Sequence, residues 1–318
     1  MSVDSKRDCI SRRRSGRSAL FLLTIVTACA GETATEPWDG VGVLGEYLVY
    51  EGFVRRYQMH LPQDYDPGRR APLLILFHGA GDTGPWFQGW TGLDAIADEA
   101  GFITVWPNGT PAGACIDDIP GEVCDPDPPY YWLPEDIGFT RELVAHLRDG
   151  LAIDSKRIFA AGMSMGGLFT YDVACQMDDL FAAAATVAAL PRPVTANSCD
   201  PSRPMPILIT HGTQDGLFDW EGVNGYLPME DNLAMWTEIN GCTGDPAIEW
   251  LPDIADEGTR AWTETYDNCD GSAEVRLLGI DGGGHIWPGL QFSPSSGLSN
   301  LDVSANAEMI EFFSRHSK

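Results

Sequence analysis

The chain has 318 residues, 44% of them hydrophobic, enough for one large domain or two small ones. Its formal net charge is −26, and lysine occurs only at Lys6, Lys156 and Lys318. So acidic a surface repels phosphate backbones, which argues against nucleic-acid binding, and no EF-hand-like loop turns the acidic residues into a calcium site.

The chain opens with a targeting segment. "KRDCISRRRSGRS" is a basic stretch, and "ALFLLTIVTACA" is an apolar run too short to span a bilayer well. Residues 1–28 read as a signal peptide. "VTAC" resembles a bacterial lipoprotein signal in which Cys29 is lipidated, while "ACA" also fits ordinary cleavage before Gly31. The expected location is therefore secreted, or on the surface or outer membrane of a bacterium through a lipid anchor at Cys29. Residues 29–42 read as a flexible tether, and 43–318 as one domain.

Along that domain, strand-like and helix-like patterns alternate, which points to an α/β fold. "EYLVYEG" and "FVRRYQMHLP" look like an antiparallel entry hairpin. "APLLILFHGAG" is a continuous apolar run ending in glycines, as a buried parallel strand should be. A helix over 93–100 and the strand "FITVWPNG" follow. Residues 109–133, rich in Pro, Asp and Gly, break the rhythm and read as a loop insertion. Then come a helix in "EDIGFTRELVAHLRDG", the strand "RIFAAGM", and a helix starting at or near Ser164. "FAAAATVAAL" and "PMPILITHG" read as two more buried strands. Residues 216–262 are a long Trp-bearing region with a helix near 231–239. "AEVRLLGID" is the last expected strand, and 305–315 a closing helix.

Beyond the signal lie six cysteines, at 115, 124, 175, 199, 242 and 269. An even number in an exported chain suggests three disulfides. Neighbour pairing (Cys115–Cys124, Cys175–Cys199, Cys242–Cys269) is the simplest of fifteen connectivities. No C-x-x-C or H-x-x-x-H spacing supports a metal site, so none is expected.

The chemistry concentrates at "GMSMG", residues 162–166. Ser164 stands between a buried strand and a helix, the setting a nucleophile elbow demands. Gly162 and Gly166 let the chain turn without clashes. A serine nucleophile needs a base, and in this arrangement an acid and then a histidine follow it in the chain. His211 precedes the acid candidates and His316 lies at the C-terminus, which leaves His285 in "DGGGHIWPG". Asp215 is the preferred acid, close to the end of the preceding strand. Asp219 is the fallback, and Asp281 sits on the histidine's own loop. Two backbone donors must hold the oxyanion. One is the N–H of Met165; the other comes from "HGAG", from Ala80 or alternatively Gly81. His78 reads as a structural strand-end residue.

"LFHGAGDT", "DIGFTRELV", "IDSKRIFAAGMSMGG", "ITHGTQD", "NGC", "GGGHIWPG" and "EFFSRH" together resemble the polyhydroxybutyrate depolymerase and feruloyl esterase-like family of secreted α/β-hydrolases, over about residues 45–316. The resemblance implies an α/β-hydrolase fold with a mostly parallel sheet, carboxylic-ester hydrolysis and no cofactor. It implies Ser164 as nucleophile, Asp215 as acid and His285 as base, and supports the 175–199 and 242–269 disulfides. Met165, the 109–133 insertion and "GLFDW" depart from the family pattern and bear on the substrate. Trp86, Trp90, Trp132 and Trp287 are candidate substrate-binding residues, for a feruloyl-type ester on plant polysaccharide or for a polyester of the polyhydroxyalkanoate type. The rival readings are a non-catalytic surface binding protein on a hydrolase scaffold and a small peptidase of the same fold.

Overall fold

The computed structural model describes residues 42–112, 129–222, 225–291 and 294–318. The expected signal segment, Cys29, the tether up to residue 41 and the Cys115–Cys124 pair lie outside the described residues.

Strands β1 (Gly42–Tyr50) and β2 (Phe53–Leu61) form the entry hairpin. β3 (Ala71–Phe77) leads into helices α1 (Gly84–Thr91) and α2 (Asp94–Ala100), then β4 (Ile103–Pro107). Two short strands, β5 (Thr110–Pro111) and β6 (Tyr130–Tyr131), pair antiparallel at the base of the insertion. Next come α3 (Asp136–Gly150), β7 (Ile153–Met163), α4 (Met165–Gln176), β8 (Ala183–Val187), α5 (Pro193–Ser198) and β9 (Ile207–Gly212). The remainder is α6 (Met229–Ile239), β10 (Ala247–Trp250), β11 (Arg260–Tyr266), β12 (Val275–Asp281) and α7 (Ala305–Ser314).

Ten strands make one sheet in the order β1-β2-β4-β3-β7-β8-β9-β12-β11-β10. From β4 to β12 neighbours run parallel, and antiparallel pairs extend both edges. The central strands carry unbroken buried runs (all five residues of β4 and of β8, all six of β9), because helices cover both faces. On one face Leu74, Leu76, Trp106 and Phe159 pack with Phe87 of α1 and Phe313 of α7. On the other Ile75, Phe77 and Ala160 pack with Phe139 of α3 and Phe169 of α4.

From β3 the chain crosses to β4 on one side, and β7 lies on the other, so the strand order reverses between β3 and β7. A crevice opens at such a point, outside the carboxyl ends of the strands.

The predicted strands and helices up to β9 all occur, and β12, α6 and α7 close the chain as expected. Six elements were not expected: α1, β5, β6, α5, β10 and β11. α1 is capped by the Thr83 hydroxyl, which accepts from the Trp86 N–H at 3.2 Å, and ends at Gly92 in the left-handed region. β10 and β11 lie in or border the region read as a long Trp-bearing stretch. Two of the three neighbour disulfides fall on described residues and are formed, Cys175–Cys199 and Cys242–Cys269, with Cα separations of 4.8 and 3.8 Å.

Candidate active site

Ser164 links the end of β7 to the first turn of α4 with φ 56° and ψ −122°, a backbone state that costs a non-glycine residue about 1–3 kcal/mol. The surroundings force this turn. The Ser164 N–H donates to the Val187 carbonyl at 2.9 Å, and its own carbonyl accepts from the Leu168 N–H at 2.9 Å. A Cβ on Gly166 would collide with the Phe77 carbonyl, and one on Gly162 with the Gly166 carbonyl. Both glycines of the pentapeptide are thus required by backbone-to-backbone approach between β3, β7 and α4.

Asp215 follows β9 and His285 follows β12, both at the same sheet edge as Ser164. His285 Nδ1 and Asp215 Oδ2 are 2.9 Å apart. The other carboxylate oxygen of Asp215 accepts from the N–H groups of Leu217 (2.8 Å) and Phe218 (3.0 Å). Burial pushes the Asp215 carboxyl up, but the His285 bond and charge, the Phe218 N–H and His211 outweigh it and hold it below the ordinary carboxylate value. The acid therefore stays ionised and fixes which imidazole nitrogen carries the proton. Asp219 instead accepts from the Glu221 N–H on the surface, and Asp281 is exposed; neither is hydrogen-bonded to His285.

Sequence reasoning missed the support of this pair. His211 is buried on β9, its Nε2 is 2.7 Å from the Phe218 carbonyl, and it lies 3.9 Å from Asp215 Oδ2. The Phe218 ring sits 5.8 Å from the His285 ring. The signal was present in "HGTQD", where a histidine precedes the acid by four residues.

The "HGAG" loop after β3 reaches the serine directly: a Cβ on Gly79 would stand 3.7 Å from Cβ of Ser164. His78 is a structural residue, as expected. Its Nδ1 donates to the Gly79 carbonyl (2.7 Å) and its Nε2 accepts from the Gly109 N–H (3.0 Å), so the ring is neutral. Burial pushes its pKa from 6.5 down to about 4. The Gly81 N–H is committed to the Tyr130 carbonyl at 2.8 Å. Of the two candidate oxyanion donors in this loop, Gly81 therefore has its N–H engaged within the protein. Met165, in the first turn of α4, carries an N–H that the helix geometry leaves without an intrahelical acceptor.

The tryptophans divide differently from the expectation. Trp287 is fully buried. It donates from Nε1 to Asn306 Oδ1 on α7 (2.9 Å) and meets Phe87 and Trp90 edge-on. Trp132 is also buried, stacked on Phe169, with Nε1 donating to the His78 carbonyl at 3.0 Å. Both are packing residues, not substrate contacts, because each has an indole N–H partner and aromatic neighbours inside the core. Trp90 is half-buried against Trp287, and Trp86 alone of the four is largely exposed, at 70%.

A serine on a strained strand–helix turn, at the reversal point of a mostly parallel sheet, defines an α/β-hydrolase. The chain belongs to the esterase family: the model described as "Putative esterase" matches residues 54–273. It is similar to feruloyl esterase B of Piromyces equi, 32% identical over 73% of this chain, and spans about two fifths (42%) of that longer enzyme. Feruloyl esterase D of Neurospora crassa is 26% identical over 94% of this chain and 97% of its own length. Among solved structures, an acetyl xylan esterase from Aspergillus awamori shares the fold, with a TM-score of 0.56 at 14% identity, covering 85% of this chain and 99% of the other.

Proposed function

We propose that this chain is an exported serine esterase that hydrolyses hydroxycinnamoyl esters carried on plant polysaccharide. The observation that carries the mechanism is the Asp215–His285 hydrogen bond, brought to the same sheet edge as the strained Ser164. The feruloyl esterase relatives support the acyl group, and the two disulfides support an oxidising compartment.

Ser164 Oγ attacks the ester carbonyl while Nε2 of His285 takes its proton. Asp215, bound to Nδ1, stabilises the imidazolium without taking that proton. Charge develops on the carbonyl oxygen, where the N–H groups of Met165 and Ala80 hold it. The positive end of the α4 dipole points the same way, and fixed dipoles of this kind need no reorganisation during the reaction. The imidazolium then protonates the leaving sugar oxygen. Water, deprotonated by His285, cleaves the acyl-enzyme to release the acid. No step needs a cofactor.

The test is a side-by-side assay of the pure protein on methyl ferulate and on a hydroxybutyrate oligomer. The reading expects turnover of methyl ferulate and little of the oligomer. Turnover of the oligomer alone would move the enzyme to polyester, and turnover of neither would remove the hydroxycinnamoyl reading.

A further inference from the structure

We infer that a groove on the face of the entry hairpin binds a sugar residue of the polysaccharide that bears the ester. The inference rests on the function proposed above and extends it from the acyl group to the carbohydrate.

The groove is a cavity of about 230 Å³, lined by Gly45 and Tyr47 of β1, Arg56 and Gln58 of β2, Pro85 of α1, and Asn108 after β4. Alternate residues of β1 face outward, and Gly45 leaves a gap among them: a Cβ there would meet nothing within 4 Å. Beside that gap stands the Tyr47 ring, 59% exposed. Tyr47 lies opposite Arg56 in the ladder, and the Arg56 carbonyl accepts from the Asn108 N–H at 2.9 Å, so all three form one row across the sheet.

This row sits at the edge where the nucleophile stands. From β2 to β7 is three strand spacings, about 14 Å. The link to the site is short. Pro85 belongs to the helix that follows the oxyanion loop, and Gly109, next to Asn108, holds the His78 ring at the start of that loop.

The chemistry suits a carbohydrate. A sugar ring presents C–H groups on its faces and hydroxyls on its rim. Tyr47 offers an exposed aromatic face for the former. Arg56 and Gln58, both in the lining, offer donors for the latter.

The experiment compares kcat/KM on a feruloylated xylo-oligosaccharide with kcat/KM on methyl ferulate, for wild type, Tyr47→Ala, Arg56→Ala and Val49→Ala. The ratio of the two values should fall about fivefold in Tyr47→Ala, through KM, as expected for loss of one stacking contact. A similar fall is expected in Arg56→Ala. Val49→Ala, on the same strand outside the groove, should keep the wild-type ratio. An unchanged ratio in Tyr47→Ala and Arg56→Ala, or an equal fall in Val49→Ala, overturns the inference. So does a loss confined to a hydroxybutyrate oligomer. If wild type hydrolyses neither ferulate ester, the proposed function fails first, which the assay shows before any variant is made.

Discussion

At the scale of residues, the Asp215–His285 pair of the candidate site was legible because chemistry restricts the choice. Few histidines follow Ser164, and only His285 lay on a glycine-rich loop after a strand, so counting and chain order were enough. The tryptophans were not legible, because a residue's neighbour in sequence says nothing about which way its side chain turns. Trp287 follows Ile286, right beside His285, yet its ring is fully buried against Phe87 and Trp90. Trp287→Ala should therefore cost about 3–5 kcal/mol of stability, read from urea unfolding. A variant of wild-type stability with a raised KM would return Trp287 to the substrate groove. His78 makes a second, pH-dependent prediction. Its folded pKa is about 4 against 6.5 unfolded, so the unfolded chain takes up the proton first as pH falls. Stability linked to this group is full above about pH 6.5 and is lost as pH drops towards 4, to the extent of about 3 kcal/mol. His78→Gln can keep both hydrogen bonds without titrating. Its unfolding free energy should fall less steeply over that window than that of wild type; parallel curves would show that His78 is not the buried neutral group described.

At the scale of elements, the central strands announced themselves as continuous apolar runs, since they are buried on both faces. β10 did not: all four of its residues are exposed, and Trp250 there pairs opposite Trp262 of β11, so its sequence carries neither a buried run nor a clean alternation. α1 was missed because its eight residues include two glycines and a proline, and a hydroxyl cap at Thr83 makes up for weak propensity. The entry hairpin was legible as strands, but its groove was not, because that depends on Gly45 lying across from Gln58 and beside Tyr47. The disulfides act at this scale too. Cys175–Cys199 fastens α4, the helix that begins just after Ser164, to the segment after α5, closing a loop of 24 residues. Replacing both cysteines by alanine should destabilise the folded state by about 3 kcal/mol, seen as a lower urea midpoint. An unchanged midpoint would mean that α4 is held by its packing alone.

At the scale of the whole molecule, the fold brings four segments far apart in sequence to one edge of one sheet. The oxyanion loop follows β3, Ser164 follows β7, Asp215 follows β9 and His285 follows β12. The order of these segments in the chain was visible beforehand; their adjacency required the sheet order, which no local pattern encodes. The two structural histidines, His78 and His211, show the same division. Each was readable as a strand-end residue, while its role in holding the oxyanion loop or the acid loop depends on contacts with Gly109 and Phe218. The proposed chemistry therefore depends first on Ser164. Ser164→Ala should remain folded by circular dichroism and lose about 10⁴-fold or more of its kcat on a p-nitrophenyl ester. Activity within tenfold of wild type would contradict the assignment of this serine as the nucleophile.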